Sequence, residues 1–431
     1  MLGIGHSLTL AGHVIPLRPR AALAAALHEA VGLPRPLQVW IAFLLALIAL
    51  AVPAALLALP PGWEVVGTTP TVEWGLLIVG YVFFAITTSG LCLASSLGTV
   101  FGIERFRPLE KRHAILALLC LITAFGIIAL DLHYPVRMVL GAVLVPSPTS
   151  PMWWMGLFYG AYLCVLMVEV WSMFTDHPTI HQAACTTAAC LAIAAPATLG
   201  AVFGVLVARP FWHGPFTPIL MVASAFLSGT ALLGIVFYAV VRLRLTGAER
   251  AASLAIPAIR TLLTIGLVIV SVLVTRQLIA GLVDGRPAFM DATLALLLGP
   301  LALEFWVVRV GLGLAVPLIL VALPATRTAT GTFVAALLAI IGVFVDRMTF
   351  VLAGQIGPTT VSGVVSAPWA EYTPTLVEIG IIVGATAFVA LGYTLAERYL
   401  DLRESSDVHA YVSLAWIRAR LRARTPEAQD S

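Results

Sequence analysis

The stretch RHAILALLCLITAFGIIALDL (112–132), continued by HYPVRMVLGAVLVPSPTSPMWW (133–154), decides how this chain is built. Its first part is an apolar run long enough to cross roughly 30 Å of hydrocarbon as a helix. A chain in hydrocarbon must satisfy its own backbone hydrogen bonds, and a helix does so within one segment. The run closes on Asp131, and from there to Arg137 an acid, an imidazole, a phenol and a guanidinium fall within seven residues. A Pro/Ser elbow and the pair Trp153–Trp154 lead into the next apolar run. Only 10% of the residues are charged, so such a cluster at a membrane surface asks for a chemical reason.

Working outward, the same kind of run recurs along the whole chain. Of 431 residues, 60% are hydrophobic, and the mean hydropathy is +1.02. Ten helical spans are predicted, at roughly 38–59, 72–101, 112–132, 152–175, 182–208, 216–243, 258–282, 291–322, 329–353 and 374–399. The expected class is an all-α polytopic membrane protein. The eighth run holds Pro300 and Pro317 and reads as one long helix with a kink. Residues 1–37 form an N-terminal segment in which Arg20–Leu33 could lie on the membrane surface, with no sign of a cleaved leader. Residues 38–399 form the membrane domain, and 400–431 a basic tail that reads as a helix on the inner leaflet. No loop is long enough to hide a soluble domain.

Arginine and lysine set the expected orientation. The N-terminal segment, the loop of Arg105, Arg107, Lys111 and Arg112, the loop of Arg242 to Arg260, Arg327 and the tail from Arg398 together carry 18 of the 24 basic residues. The positive-inside rule places that side, and both termini, in the cytoplasm. Asp131–Trp154 then faces outward. An internal duplication is also suggested: spans 2–5 overlie spans 6–9, with Thr88-Ser89-Gly90 matching Ser228-Gly229-Thr230.

Ionisable residues inside a membrane are costly and mark candidate sites. Glu169 lies deep in the fourth span. Glu304 and Arg309 lie near the middle of the eighth, five residues apart, a spacing that does not pair them on one α-helix and sends each to a partner elsewhere. Asp346-Arg347 is expected to close the ninth span on the outer side. These residues read either as a polar network that fixes helix packing or as a proton path through Glu169, Glu304, Arg309 and Asp346. His113, His177 and His181 fall at the inner boundary, and the loop pair His177 and His181, without an acidic partner beyond Asp176, is expected to be solvated; His133 and His213 fall at the outer one. No histidine sits mid-span, so no b-type haem held between helices is expected. The five cysteines all fall inside apolar runs without a CxxC pair, so no metal site is expected, and each reads as a small hydrophobe.

At the outer cluster, Asp131 and Arg137 are close enough to pair across the turn that Pro135 initiates. His133 and Tyr134 each offer a hydrogen-bonding group. Such groups beside a carbonyl–phenol headgroup suit quinone chemistry, in which protons move with electrons. Trp153, Trp154 and Tyr159 offer flat walls, although tryptophans at this depth also serve as an ordinary interfacial belt.

Several stretches together resemble one family: DLHYPVRM (131–138), SPMWWMGLFYGAYL (150–163), FFAITTSGLCL (83–93), DRMTFVLAGQ (346–355) and YTPTLVEIGI (372–381). They are similar to the NrfD/PsrC-like membrane subunits of respiratory oxidoreductases, the polysulfide reductase membrane subunit type. The ten-span form occurs in hydrogenase-2-like, sulfur-metabolism and alternative complex III assemblies. The resemblance implies two four-helix bundles (about 72–208 and 216–353) with two flanking helices. It implies no intrinsically bound cofactor, with menaquinone or ubiquinone as substrate at an outer pocket. Asp131 and His133 are its candidate proton-exchanging residues, and Asp131, His133, Tyr134, Arg137, Trp153 and Tyr159 its quinone-binding set. The implied partners are a periplasmic ferredoxin-like iron–sulfur subunit and a molybdopterin, hydrogenase or multihaem cytochrome subunit, in a bacterial inner membrane. Nothing points to nucleic acid. Two other classes fit the composition: a ten-span secondary transporter with Glu304, Arg309 and Glu169 along a midplane path, and a passive anchor for a redox complex.

Overall fold

The computed structural model describes residues 33–59, 65–132, 146–175, 177–242, 249–356, 369–400 and 402, together with two short antiparallel ladders, 7–10 with 13–16 and 360–361 with 364–365. Eleven long or mid-length helices make up the described structure. They are α1 (Arg35–Ala58), α2 (Leu76–Thr99), α3 (Glu110–Asp131), α4 (Pro151–Ser172), α5 (Pro178–Gly204), α6 (Phe216–Arg242), α7 (Glu249–Val283), α8 (Pro287–Leu297), α9 (Glu304–Ala322), α10 (Ala329–Ile356) and α11 (Leu376–Tyr399). All but α8 are long and apolar enough to cross a membrane, so the chain is a multi-pass integral membrane protein with ten such helices among the described residues. Pro151, Pro178 and Pro287 start their helices at the first turn, where the missing N–H has no intrahelical partner to lose. The segment Arg20–Leu33 lies outside the described residues except at Leu33, and the basic tail beyond 402 lies outside them entirely.

The helices alternate in direction, and the loops richest in arginine and lysine gather at one end, here the basic end. Helix α2 is the hub. It is 83% buried over its apolar window, whereas α1 is 17% buried, so α2 is core and α1 is periphery. Within the first bundle α2 packs on α3 and α5, and α4 closes the group against α5 and α3. The second bundle, α6, α7, α9 and α10, meets the first chiefly along α2 and α6.

That seam is made by the two triplets whose likeness suggested duplication. A Cβ placed on Gly90 would overlap the Ala225 carbonyl and lie 2.8 Å from the Gly229 nitrogen; a Cβ on Gly229 would run into Gly90 itself. Small residues let helix backbones touch where lipid offers no hydrophobic drive for association. Gly90 and Gly229 occupy matching positions along helices that run in the same direction. This is the arrangement expected where two parallel repeats meet across an axis normal to the membrane. Gly313 and Gly342 make a second backbone contact, between α9 and α10.

Two features depart from the sequence expectations. The eighth run is not one kinked helix. It breaks between Leu297 and Glu304, where Pro300 lacks an N–H and restricts Gly299 before it. The indole of Trp306 donates to the freed Leu297 carbonyl at 3.0 Å, and Gly299 sits against the Trp369 ring. Beyond the break, residues 304–315 are wound as a π-helix. Asp346 and Arg347 do not close the ninth span at a surface. They lie inside α10, ten residues before its end, at 3% and 0% exposure.

Helices α1 and α11 run antiparallel along the outside of the bundles, with Gly384 against Ala51 and Gly380 against Ala54. The start of α11 is fixed by a capping box: Thr375 Oγ1 accepts from the Glu378 N–H, and Glu378 Oε2 accepts from the Thr375 N–H at 2.9 Å.

Candidate functional site

Three helices of the first bundle end or begin at the basic end, and each presents two polar side chains one helical turn apart. These are Glu110 and His113 on α3, Glu169 and Ser172 on α4, and His181 and Cys185 on α5. Spacing of three or four residues puts each pair on one face, and all three faces turn inward. Except for Glu110, which is partly covered, these side chains are buried.

Their hydrogen bonds form a line. His181 Nε2 meets Glu110 Oε1 at 2.8 Å, and His181 Nδ1 meets Ser172 Oγ at 3.0 Å. The Ser172 hydroxyl donates to the Glu169 main-chain carbonyl at 2.9 Å. The Cys185 sulfur lies 3.5 Å from His181 Nε2 and 3.7 Å from Glu169 Oε1. Glu169 Oε1 also faces His113 Nε2 at 3.1 Å, and His113 Nδ1 faces the Leu109 carbonyl at 3.2 Å.

Donor and acceptor counting fixes much of the protonation. A carbonyl only accepts, so His113 Nδ1 carries hydrogen and donates to Leu109. Ser172 spends its hydrogen on Glu169, so His181 Nδ1 donates to the serine oxygen. In both histidines the remaining nitrogen, Nε2, faces a carboxyl oxygen, and such a pair binds one shared proton between them. The Cys185 thiol bridges the two pairs. Glu169 Oε2 is buried without a hydrogen-bond partner, an expensive state for a carboxylate and an opening for a proton or a water.

The line continues away from the basic end. The Cys92 thiol lies beside His113 and Tyr162, and the Tyr159 hydroxyl lies beside Ser89. Tyr81 donates to the Met155 sulfur at 3.4 Å. Tyr159 and Tyr162 are 2% and 0% exposed, and neither hydroxyl completes a hydrogen bond within the chain. Among the described residues these groups string along the bundle rather than converging on a metal-sized point.

At the opposite end the candidate residues divide. Asp131 ends α3 and lies in the field of Glu378 and Tyr372 at the start of α11. Glu378 is fully buried and accepts from the Gly67 and Leu76 N–H groups, the Tyr372 hydroxyl at 2.7 Å, and Thr375. Burial, and then the Glu378 carboxylate beside it, pushes the Tyr372 phenol well above its usual range, so it stays a donor. Tyr159 sits on the other side, with Tyr81 and Ser89. Trp153 packs edge-on against Trp154, whose indole donates to Pro148 O at 2.8 Å; Trp154 stacks on Phe158. His133, Tyr134 and Arg137 lie outside the described residues, so the expected Asp131–Arg137 pair does too.

In the second bundle Arg309 pairs with Asp346 on α10, as its lone position on α9 led one to expect. Asp346 also pairs with Arg347, which reaches Ser224 Oγ at 3.1 Å and the Met221 sulfur at 2.7 Å on α6. Residues five apart close one hydrogen-bonded turn of a π-helix, so Glu304 and Arg309 are stacked by the winding rather than separated by it. They make no ion pair: Glu304 is half-buried, with Oε2 unpartnered.

The expectation of a solvated His177–His181 pair is overturned for His181, and His113, placed at the boundary, is buried as well. His113 and His181 are 2% and 4% exposed and each has a carboxyl partner. They were misplaced because α3 and α5 begin before their apolar runs do, so each histidine lies inside the helix. His177 does sit at the helix start, stacked on Trp171. Two more groups escaped notice. Arg112 makes a buried two-pronged pair with Glu397, at 2.8 and 3.2 Å, which Tyr393 joins at 2.6 Å. Trp212 stacks on Trp74 with ring centroids 5.1 Å apart and donates to the Phe350 carbonyl.

An Hdr-like menaquinol oxidoreductase integral membrane subunit of Archaeoglobus fulgidus is 26% identical over 361 residues, covering 78% of this chain and 86% of its own length. A putative dimethyl sulfoxide reductase membrane subunit of Halobacterium salinarum is 27% identical over 414 residues, covering 87% and 93%. A selenate reductase subunit of Mesobacillus selenatarsenatis is 24% identical over 403 residues, covering 81% and 91%. Residues 64–359, which contain α2 to α10 and so both bundles and the whole buried line, match the family described as polysulphide reductase, NrfD. This ten-span membrane protein belongs to the NrfD family.

Proposed function

We propose that the chain is the subunit through which a respiratory oxidoreductase exchanges electrons with membrane quinone, and that its first bundle conducts the accompanying protons. The observation that carries this is the succession of buried proton-exchanging groups along the first bundle, hydrogen-bonded from Glu110 to His113 and continued by Cys92, Tyr162, Tyr159 and Tyr81. Every member can both give and take a proton. The relatives' names, one from a menaquinol oxidoreductase and two from reductases, agree with it. By the positive-inside rule the basic end faces the cytoplasm of a plasma membrane.

In this reading the quinone headgroup sits at the opposite end, near Asp131, His133, Tyr134, Arg137, Trp153 and Tyr159. Each electron leaving a quinol releases one proton, and each electron entering a quinone takes one up. The electrons pass to or from an iron–sulfur cluster of a partner docked on that face, which itself joins a catalytic subunit. Asp131 or His133 exchanges the headgroup's proton, and Arg137 orients the acid or a quinone oxygen. Protons reach or leave the first bundle through Tyr81, Tyr159 and Tyr162. They pass Glu169 by way of His113 and Cys185, and meet the basic end at His181 and Glu110. Of the four residues expected to form a proton path, Glu169 fits this role. Arg309 does not, since a guanidinium does not release its proton, and Asp346 is occupied by two of them.

The test uses the whole complex, purified through a tag on this chain and reconstituted in liposomes with a short-chain quinol or quinone. Asp131→Asn and Arg137→Ala are expected to abolish quinone-linked electron transfer while the subunit still inserts. Glu169→Gln keeps the shape of the side chain and is expected to slow proton delivery about a hundredfold, in line with the roughly 10²–10⁴ that a positioned acid–base group contributes. Normal turnover in the first two variants would overturn the headgroup site. Normal internal-pH changes in the third would overturn the proton line. Uptake of a solute by the chain without redox partners would favour a transporter.

A further inference from the structure

A cleft of about 600 Å³ lies between the two bundles and the α1–α11 pair. It lies apart from the line of proton-exchanging groups in the first bundle and touches the Arg112–Glu397–Tyr393 group only through Tyr393 and Glu397. Its wall is almost wholly apolar: Phe84 of α2, Leu116 of α3, Val236 of α6, Phe344 of α10 and Val389 of α11. Its volume falls within the range of small-molecule sites, roughly 300–1,000 Å³. Along α11 the lining runs from Ile382 to Glu397, which spans roughly 22 Å at about 1.5 Å per residue. One leaflet of hydrocarbon is about 15 Å thick, half of the roughly 30 Å core. The cleft is therefore long enough for a chain that enters from one leaflet.

One end of the cleft lies at the basic end. There Tyr393 and Glu397 reach the lining, and the Arg112 side chain satisfies Glu397. The Trp40 indole donates to Thr394 Oγ1 at 3.1 Å and sets the register of α1 against α11. In that register Arg35, two residues before the lining Leu37, and Arg398, next to the lining Glu397, both stand exposed at this end of α1 and α11. The one acid in the wall is already neutralised by Arg112, so the two exposed arginines leave this end positive. Water has no partners along these apolar walls, and an empty space of this size forfeits packing on every side.

We infer that this cleft is a specific site for an anionic glycerophospholipid of the basic-side leaflet, with one acyl chain between the bundles and its phosphate held by Arg35 and Arg398. Each methylene taken from water is worth about 0.8 kcal/mol, but transfer from surrounding lipid is worth far less. Selectivity therefore has to come from the arginines, and affinity from fit. The occupant wedges the α1–α11 pair to both bundles and acts as a mobile part of the fold. The inference is independent of the quinone reading, because it concerns a different end and different residues.

Native mass spectrometry of the delipidated complex, titrated in parallel with phosphatidylglycerol and phosphatidylcholine, tests it. The expected result is one phosphatidylglycerol retained at least about tenfold more strongly than phosphatidylcholine. The double variant Arg35→Gln, Arg398→Gln, both on the surface, should erase that preference. Ala239→Phe or Ala390→Trp, each filling the cleft, should lose the retained lipid altogether. Equal retention of both lipids, or a preference untouched by the arginine variants, would overturn the proposal. So would recovery of an isoprenoid quinone in place of the phospholipid. If a filled variant does not assemble, the arginine pair alone decides the outcome.

Discussion

Replacing Gly90 by alanine probes the contact on which both bundles depend. The added Cβ would fall within the Ala225 carbonyl and 2.8 Å from the Gly229 nitrogen. Both obstacles are helix backbone, which cannot rotate aside as a side chain can. The Cβ would lie 1.7 Å from the Ala225 oxygen and a relaxed contact is about 3.5–4.0 Å, so α2 and α6 have to part by roughly 2 Å at their crossing. Overpacking of this kind costs about 1–3 kcal/mol in a tight core. Here the upper end is expected, since the separation also loosens Ser89, Leu91 and Leu227, each fully buried at the seam. Gly126→Ala is the control: a Cβ there meets nothing within 4 Å, and alanine favours the helix by roughly 0.8–1.0 kcal/mol over glycine. Equilibrium unfolding of the purified chain in mixed micelles, followed by tryptophan fluorescence, measures both. Gly90→Ala should lower the midpoint clearly and Gly126→Ala should leave it unchanged or raise it. Equal stability in the two variants would refute the backbone-to-backbone seam.

Three further outcomes can be checked in the same assay. Asp346→Asn leaves Arg309 and Arg347 facing each other without an anion at 2% and 0% exposure, and should cost about 3–5 kcal/mol, as for other broken buried pairs; stability near the parent would show that another anion serves these arginines. Glu397→Gln should cost a similar roughly 3–5 kcal/mol by stranding Arg112, whereas Arg112→Leu with Glu397→Leu should recover most of it. Trp212→Ala removes a ring stacked on Trp74 and a donor to Phe350 O, and should lose roughly 3–5 kcal/mol of packing; a loss below that of an exposed tryptophan such as Trp40 would mean the ring cluster does not hold the bundles together.

The spans were legible because hydrocarbon imposes one rule on every crossing segment, and apolar runs report it directly. The break after Leu297 was half legible. Pro300 announced a disturbance, but whether it kinks or breaks a helix depends on whether something else bonds the freed carbonyl, and Trp306 is that group. Of the buried line, Glu169 was legible because an acid deep in an apolar run stands out, and Tyr159 only as a flat wall beside the tryptophans. His113 and His181 were hidden by their nearness to charged residues and loops. Their burial depends on helices from three parts of the chain converging at one end. Cys92 and Cys185 were read as small hydrophobes, a fair reading of any single cysteine that fails only because acid and imidazole surround these two. One cue was available: Glu110/His113, Glu169/Ser172 and His181/Cys185 repeat a one-turn polar spacing on successive helices.

The chemical difference between the two bundles is informative. Both bundles have the same helix directions and meet at matched glycines, and both hold charge where lipid surrounds them. The first contains carboxyls, imidazoles, thiols and phenols, all able to exchange protons, with Glu169 Oε2 left unpartnered inside. The second contains two guanidiniums locked on one carboxylate, in a π-wound helix that turns Arg309 into the core. A charge that never leaves cannot relay a proton, but it can set the potential felt by a neighbouring path and hold three helices in register. Coulomb attraction at a few ångströms is on the order of several kcal/mol even at an effective dielectric near 20. The fixed charges of the second bundle are thus suited to rigidity. The exchangeable groups of the first are suited to transport, which is the ground for proposing the proton path at Glu169 and its neighbours rather than at Arg309 and Asp346.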